Sequence, residues 1–244
     1  MNYLHLIYIP IILAHSWSNP SHQPSKESNQ TDKQQKVMNE DLSAPESSYT
    51  YLALGDSYTI GEGVTEAKRW PIQLQSKLSE NGIDITKTDI IARTGWTTAD
   101  LLKAIEQEKP KKHDLVSLLI GVNNQYQKLP FDLFKKEFDE LLEISVQLAN
   151  NKQGVFVVSI PDYGFTPFGS KDRKRIGKEI DQYNNYIKQR CDLMEIPFID
   201  ITAISRSFGD SDKALAEDKL HPSGHQYSLW LDQIYPSVAD ILQK

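Results

Sequence analysis

From Tyr49 onward, short apolar runs alternate with amphipathic ones, and this alternation narrows the possible folds more than any other feature of the chain. The runs Thr50 to Leu54, Asp89 to Ala92, Leu115 to Ile120, Val155 to Ile160 and Pro197 to Ile201 are short and nearly continuously apolar, as strands covered on both faces should be. Between them, apolar residues recur at helical spacing from Trp70 to Ser79, from Thr97 (a Ser/Thr-type cap) to Glu106, and from Phe131 to Leu148, where Phe134, Phe138, Leu141, Leu142 and Ser145 form one face. Two further helical patterns follow, Ile176 to Met194 and Ser223 to Leu242. A strand followed by a helix five times over predicts an α/β protein with a parallel, doubly wound sheet, a three-layer α/β/α sandwich. Such sheets carry their ligand sites beyond the carboxyl ends of the strands.

The length of 244 residues, with 39% hydrophobic and 25% charged residues, suits one globular domain over 49–244 plus additional sequence. Residues 1–16 are signal-like: Tyr3 to Ala14 is apolar except for His5, and Ala14-His15-Ser16 has the small-residue spacing of an export cleavage site. The run is shorter than the roughly 20 residues of a membrane span, and it lacks the cysteine of a lipoprotein signal. The expectation is therefore a secreted or periplasmic protein with no stable membrane span and no lipid anchor. Residues 17–48, rich in Ser, Asn, Gln, Pro and Lys, read as a disordered linker. A formal net charge of -6 argues against nucleic acid as a partner, since phosphate binding needs a concentrated cationic face. The basic runs at Lys109, Lys111 and Lys112 and at Lys171, Arg173, Lys174 and Arg175 read as solvated surface, with Lys171 and Arg173 also able to favour an anionic substrate. The single cysteine, Cys191, excludes an intramolecular disulfide and a Cys-based zinc cluster, and it falls on a helix as a small apolar residue.

Chemistry-bearing residues stand where the strands end. Gly55-Asp56-Ser57 follows the first strand, Gly95 the second, Gly121-Val122-Asn123-Asn124 the third, and Asp218-Lys219-Leu220-His221-Pro222 lies after the fifth. A serine hydroxyl needs a base to take its proton, and the base needs a partner that fixes its tautomer. His221 and Asp218, three residues apart, suit those two roles beside Ser57. The backbone N–H groups of Ser57 and Gly95 and the side-chain amide of Asn123 are candidate donors to the oxyanion that forms when an ester carbonyl is attacked. Taken alone, Ser57 reads first as a helix cap and Gly95 as an ordinary turn residue; it is His221 and Asn123 in register that favour the nucleophile. Trp96 either borders the pocket mouth or caps the hydrophobic face of the next helix. Tyr163, Phe165 and Phe168, in the loop after the fourth strand, either line a pocket for an acyl group or sugar or pack the loop down.

These four blocks, in this order and spacing, resemble the SGNH (GDSL-like) hydrolase superfamily over roughly Tyr49 to Leu242. The resemblance implies a flavodoxin-like fold with a parallel five-stranded sheet and no metal or organic cofactor. It implies hydrolysis of carboxylic esters or thioesters through an acyl-serine, with small-molecule, glycan or lipid esters as substrates (short or medium acyl esters, lysophospholipid or acetylated sugar). It assigns Ser57, Gly95, Asn123 and His221 the four namesake roles, with Asp218 as the triad acid. Where the family's third block commonly reads G-x-N-D, this chain has Asn124. Two other function classes fit parts of the sequence. One is a metal-dependent phosphoesterase, although Tyr58 and Thr59 stand where further ligands would be expected. The other is an exported carbohydrate-binding or adhesion module on a degenerate hydrolase fold.

Overall fold

The computed structural model describes residues 48–208, 211 and 213–243, all within one compact unit, Pro45–Lys244. The signal-like segment and nearly all of the expected linker lie outside the described residues. Five parallel strands, β1 (Ser48–Gly55), β2 (Asp84–Ala92), β3 (Leu115–Leu119), β4 (Val155–Val158) and β5 (Phe198–Ile199), form one sheet in the order β2-β1-β3-β4-β5. The helices are α1 (Ser57–Ile60), α2 (Trp70–Glu80), α3 (Thr98–Glu108), α4 (Val122–Tyr126), α5 (Phe131–Leu148), α6 (Arg173–Met194), α7 (Thr202–Phe208) and α8 (Gly224–Leu242).

The strand order determines the layers. The chain leaves β1 for β2 on one side, then returns past β1 to β3, β4 and β5 on the other. Right-handed crossovers therefore place α2 on one face of the sheet and α3, α5 and α6 on the opposite face. The packing agrees, with α2 against α8 and α5 against both α3 and α6. Each interface has its own aromatic core. On the α2 side the rings of Tyr51, Trp70 and Phe156 meet, with Tyr227 and Trp230 of α8 fully buried. On the other side Phe131, Phe134 and Phe138 of α5 pack against Tyr183 and Tyr186 of α6.

The expected elements are present, with differences at the edges of the sheet. The second strand begins at Asp84 rather than Asp89, because β2 is an edge strand whose first half alternates Ile85 inward with exposed neighbours. The fifth strand has only two residues. The predicted face of α5 is buried at all five positions, and Cys191 is buried on α6. Where β1 gives way to β3 the order of the sheet reverses, and the crevice beyond these two carboxyl ends is where an open α/β sheet places its site.

Candidate active site

At the end of β1, a Cβ on Gly55 would lie 2.2 Å from Thr59 Oγ1 and 2.5 Å from the Leu119 carbonyl oxygen. Only glycine lets the ends of β1 and β3 approach this closely and turn at once into α1. Asp56 caps that short helix, accepting the Tyr58 N–H at 3.0 Å, and Gly61, left-handed at φ 70, closes it with its N–H on the Ser57 carbonyl. Ser57 thus begins a tight strand-to-helix turn at the switch point. Asp56 beside it is wholly buried. Burial raises its carboxyl from the ordinary range to about 7, against the pull of the backbone amides of Tyr58 and Gly121.

The histidine arrives from the loop before α8, whose Ser223 cap accepts the Gln226 N–H. Asp218 holds that loop with both carboxylate oxygens. Its Oδ1 accepts the backbone N–H groups of Leu220 (2.9 Å) and His221 (3.0 Å), and its Oδ2 lies 2.6 Å from His221 Nδ1. A carboxylate accepts only, so Nδ1 donates and Nε2 is left with its lone pair. Partial burial pushes the Asp218 carboxyl up, but the bond to His221 and the two amides outweigh it and hold the carboxyl below its usual range. The ring of Tyr58 meets the imidazole edge-on at 5.9 Å and leans on Trp230 of α8. His221 is thereby supported by the residue that directly follows Ser57.

Ser57, Gly95, Asn123 and His221 line one cavity of about 300 Å3. No Ser57–His221 hydrogen bond is formed among the described residues, a contact that commonly tightens only around substrate. Gly95 turns at φ 86 with open space around its Cα, so the left-handed backbone, not crowding, calls for glycine here. Asn123 donates one amide hydrogen to the Trp96 carbonyl at 2.9 Å, which ties α4 to the Gly95 turn, and it retains a second hydrogen to donate. Asn124, at the position where the family commonly has Asp, is fully buried. Its Oδ1 accepts the Thr98 N–H at 3.0 Å and its Nδ2 donates to Thr98 Oγ1 at 2.6 Å; that hydroxyl in turn donates to Glu137.

Of the four aromatic residues anticipated at the pocket, Tyr163 and Phe168 line the cavity and the other two do not. Trp96 packs against the hydrophobic core and offers only its carbonyl to Asn123. Phe165 lies under the Arg173 guanidinium, 4.6 Å away, while Arg173 Nε donates to the Gly164 carbonyl. That basic residue braces the loop and is absent from the cavity lining. Tyr126, Tyr58, Thr94, Val122 and Leu220 also line the cavity and were not anticipated. For Tyr126 a signal existed: it lies three residues after Asn123, on the same side of one helical turn. Among the described residues, no group of three His, Cys, Asp or Glu side chains is placed to hold a metal ion, and no helix is long and apolar enough to cross a membrane.

Fold and rim together define a flavodoxin-like α/β/α protein with a serine and a carboxylate-held histidine at the sheet's switch point. The profile of the GDSL-like lipase/acylhydrolase family matches residues 53–229, and the chain belongs to that family of carboxylic ester hydrolases. No curated protein matches the sequence significantly. Solved structures share the fold. The esterase EstA from Pseudoalteromonas sp., inhibited by monoethylphosphonate, is 21% identical with a TM-score of 0.57, covering 80% of this chain and 99% of its own. The acetylxylan esterase Axe2 from Geobacillus stearothermophilus is 18% identical with a TM-score of 0.60, covering 80% and 94%. A lipolytic protein of the G-D-S-L family from Veillonella parvula is 14% identical with a TM-score of 0.63, covering 81% and 100%.

Proposed function

We propose that the chain hydrolyses carboxylic esters through an acyl-serine intermediate, with Ser57 as nucleophile, His221 as general base and then acid, and Asp218 as the carboxylate that orients it. The observation that carries this reading is the 2.6 Å contact between His221 Nδ1 and Asp218, which leaves the basic Nε2 in a residue that shares its cavity with Ser57. In the first half-reaction Nε2 takes the Ser57 proton as Oγ attacks the carbonyl, and returns it to the departing alkoxide. In the second, water enters by the same route and the acid is released. The Ser57 and Gly95 N–H groups and the remaining Asn123 amide hydrogen serve the oxyanion; one such donor contributes about 3 to 4 kcal/mol to barrier lowering. Because none of the cavity's lining residues is a Lys, Arg, Asp or Glu, the site suits an uncharged ester. Export by residues 1–16 belongs to the same reading and rests on the sequence pattern alone.

The test is hydrolysis of p-nitrophenyl esters by the purified protein and three variants. Ser57→Ala and His221→Ala should each lower kcat by about 10^4-fold or more, and Asp218→Ala by less, because backbone and water can partly replace an orienting carboxylate. Equal, small losses in all three would sink the assignment. A chelator should leave the rate unchanged; its abolition would favour the metal-dependent phosphoesterase. Failure of a serine-directed phosphonate to label the protein would favour the binding module.

A further inference from the structure

The three donors proposed for the oxyanion come from three separate stretches of chain, so contacts between those stretches must hold their spacing. Ser57 opens α1, Asn123 lies on α4, and Gly95 sits in the turn after β2. That turn is the least supported of the three. Arg93, Thr94 and Gly95 are exposed, one backbone bond closes the turn, from the Trp96 N–H to the Arg93 carbonyl at 3.2 Å, and a Cβ on Gly95 would meet nothing within 4 Å. Backbone so lightly packed opens easily, and side-chain ties are what keep its N–H in place.

One tie is the bond from Asn123 to the Trp96 carbonyl. The other comes from Glu62, whose carboxylate accepts the Thr94 hydroxyl. Glu62 is itself fixed to the turn of Ser57, because its backbone N–H donates to the Ser57 carbonyl at 3.0 Å. Glycines in left-handed backbone flank it, Gly61 at φ 70 and Gly63 at φ 78. A Cβ on Gly63 would lie 2.7 Å from Ala216 Cβ and 3.9 Å from Asp218 Oδ2, so the same segment packs against the loop whose carboxylate holds His221.

These bonds make a closed circuit. Ser57 is joined to Glu62, Glu62 to Thr94, the turn at Trp96 to Asn123, and α4 returns to α1 through the Gly121 amide on Asp56. Glu62 is the member that ties the nucleophile's turn directly to that of Gly95. Both Glu62 and Thr94 are exposed, and a bond between exposed side chains adds little to folding stability. Its weight falls on geometry instead, where an error of one ångström can cost about 100-fold in rate.

We infer that Glu62 and Thr94 are positioning residues, a latch that holds the Gly95 N–H at the oxyanion while touching none of the reacting atoms. The inference rests on the acyl-serine reading above and deepens it by two residues. The oxyanion exists only in the transition state and the tetrahedral intermediate, so a loosened donor lowers kcat and leaves KM in place.

The experiment measures hydrolysis of p-nitrophenyl butyrate by the full chain, with kcat expressed per serine that a phosphonate labels at completion, so that misfolded protein is not counted. Thr94→Val and Glu62→Ala should each lower kcat by about 10- to 100-fold, with KM and Tm unchanged. The double variant should be no slower than the slower single, since both break the same bond. Thr94→Ser keeps a hydroxyl and Glu62→Gln keeps an acceptor, and each should recover most of the lost rate. A purely structural role would lower Tm or the labelled fraction and leave the rate per labelled serine unchanged. A substrate contact at Thr94, which lines the cavity, would raise KM. Either result overturns the latch, as do wild-type kcat in both single variants, losses that multiply in the double, or a Glu62→Gln as slow as Glu62→Ala. Ser57→Ala separates the two readings: retained hydrolysis there refutes the acyl-serine, whereas an inactive Ser57→Ala beside an undiminished Thr94→Val refutes the latch alone.

Discussion

Asp56, immediately before Ser57, shows how one residue can shape the protein's response to pH. It is fully buried, and its carboxyl is raised from the usual 3.8 to about 7 by burial, with the buried phenols of Tyr58 and Tyr227 close enough to feel its charge. Below pH 3.8 folded and unfolded chains both carry the proton, and the contribution to stability is complete. As pH rises from 3.8 towards 7 the unfolded chain releases the proton while the folded one keeps it, so stability declines, levelling off above about 7. The total is about 4 kcal/mol. Asp89, Asp114 and Asp218 have lowered carboxyls and act in the other direction, losing stability as pH falls below the ordinary carboxylate range. Thermal melts at pH 4, 5.5 and 8 should therefore show the wild type weakening across this interval relative to Asp56→Asn. Parallel curves for the two proteins would refute a buried, raised Asp56.

At the scale of elements, helices α3, α4 and α5 are joined by one relay, in which Asn124 donates to Thr98 and Thr98 donates to Glu137. A hydroxyl has one hydrogen to give. Asn124→Asp turns the donor into a second carboxylate, and Thr98 can then satisfy only one of the two. The single variant should lose about 1 to 3 kcal/mol, and adding Glu137→Gln should recover much of it, a coupling measured by urea denaturation in a double-mutant cycle. Additive losses would show that the relay carries no energy. The same elements show what was legible in the sequence. β1, β3 and β4 are apolar because helices cover both their faces, and α5 is long enough to display its period. The helices α1 and α4, of four and five residues, are shorter than any periodicity can reveal, and α4 is the element that brings Tyr126 into the cavity. The polar blocks at strand ends could be read because a parallel sheet collects its carboxyl ends on one rim. Whether Trp96 or Phe165 faces that rim depends on tertiary packing, which no local pattern encodes.

For the molecule as a whole, the sheet, both aromatic cores and every lining residue of the cavity fall between Ser48 and Leu242. Every residue lining the cavity belongs to this stretch, so under the export reading proposed above, removal of residues 1–16 should leave kcat unchanged. If residues 1–16 are the proposed export signal, N-terminal sequencing of protein recovered from outside the cytoplasm should find it beginning just after Ser16; retention of residues 1–16 there would refute the signal. The strand reversal between β1 and β3 explains why the site residues can be so far apart in sequence. Ser57 and His221 come from opposite ends of the domain, and they meet because the chain passes the same crevice on its way out and on its way back.

The hydrogen bond from Asn123 to the Trp96 carbonyl has a consequence for heredity. In the proposed mechanism Asn123 is at once a donor to the oxyanion and, through its bond to the Trp96 carbonyl, the tether of the turn that presents Gly95, the other proposed donor from outside α1. A change at position 123 therefore disarms two donors together, and a later change at 95 has little left to lose. The two positions are free to drift only as a pair, so descendants of this chain should keep both or abandon both.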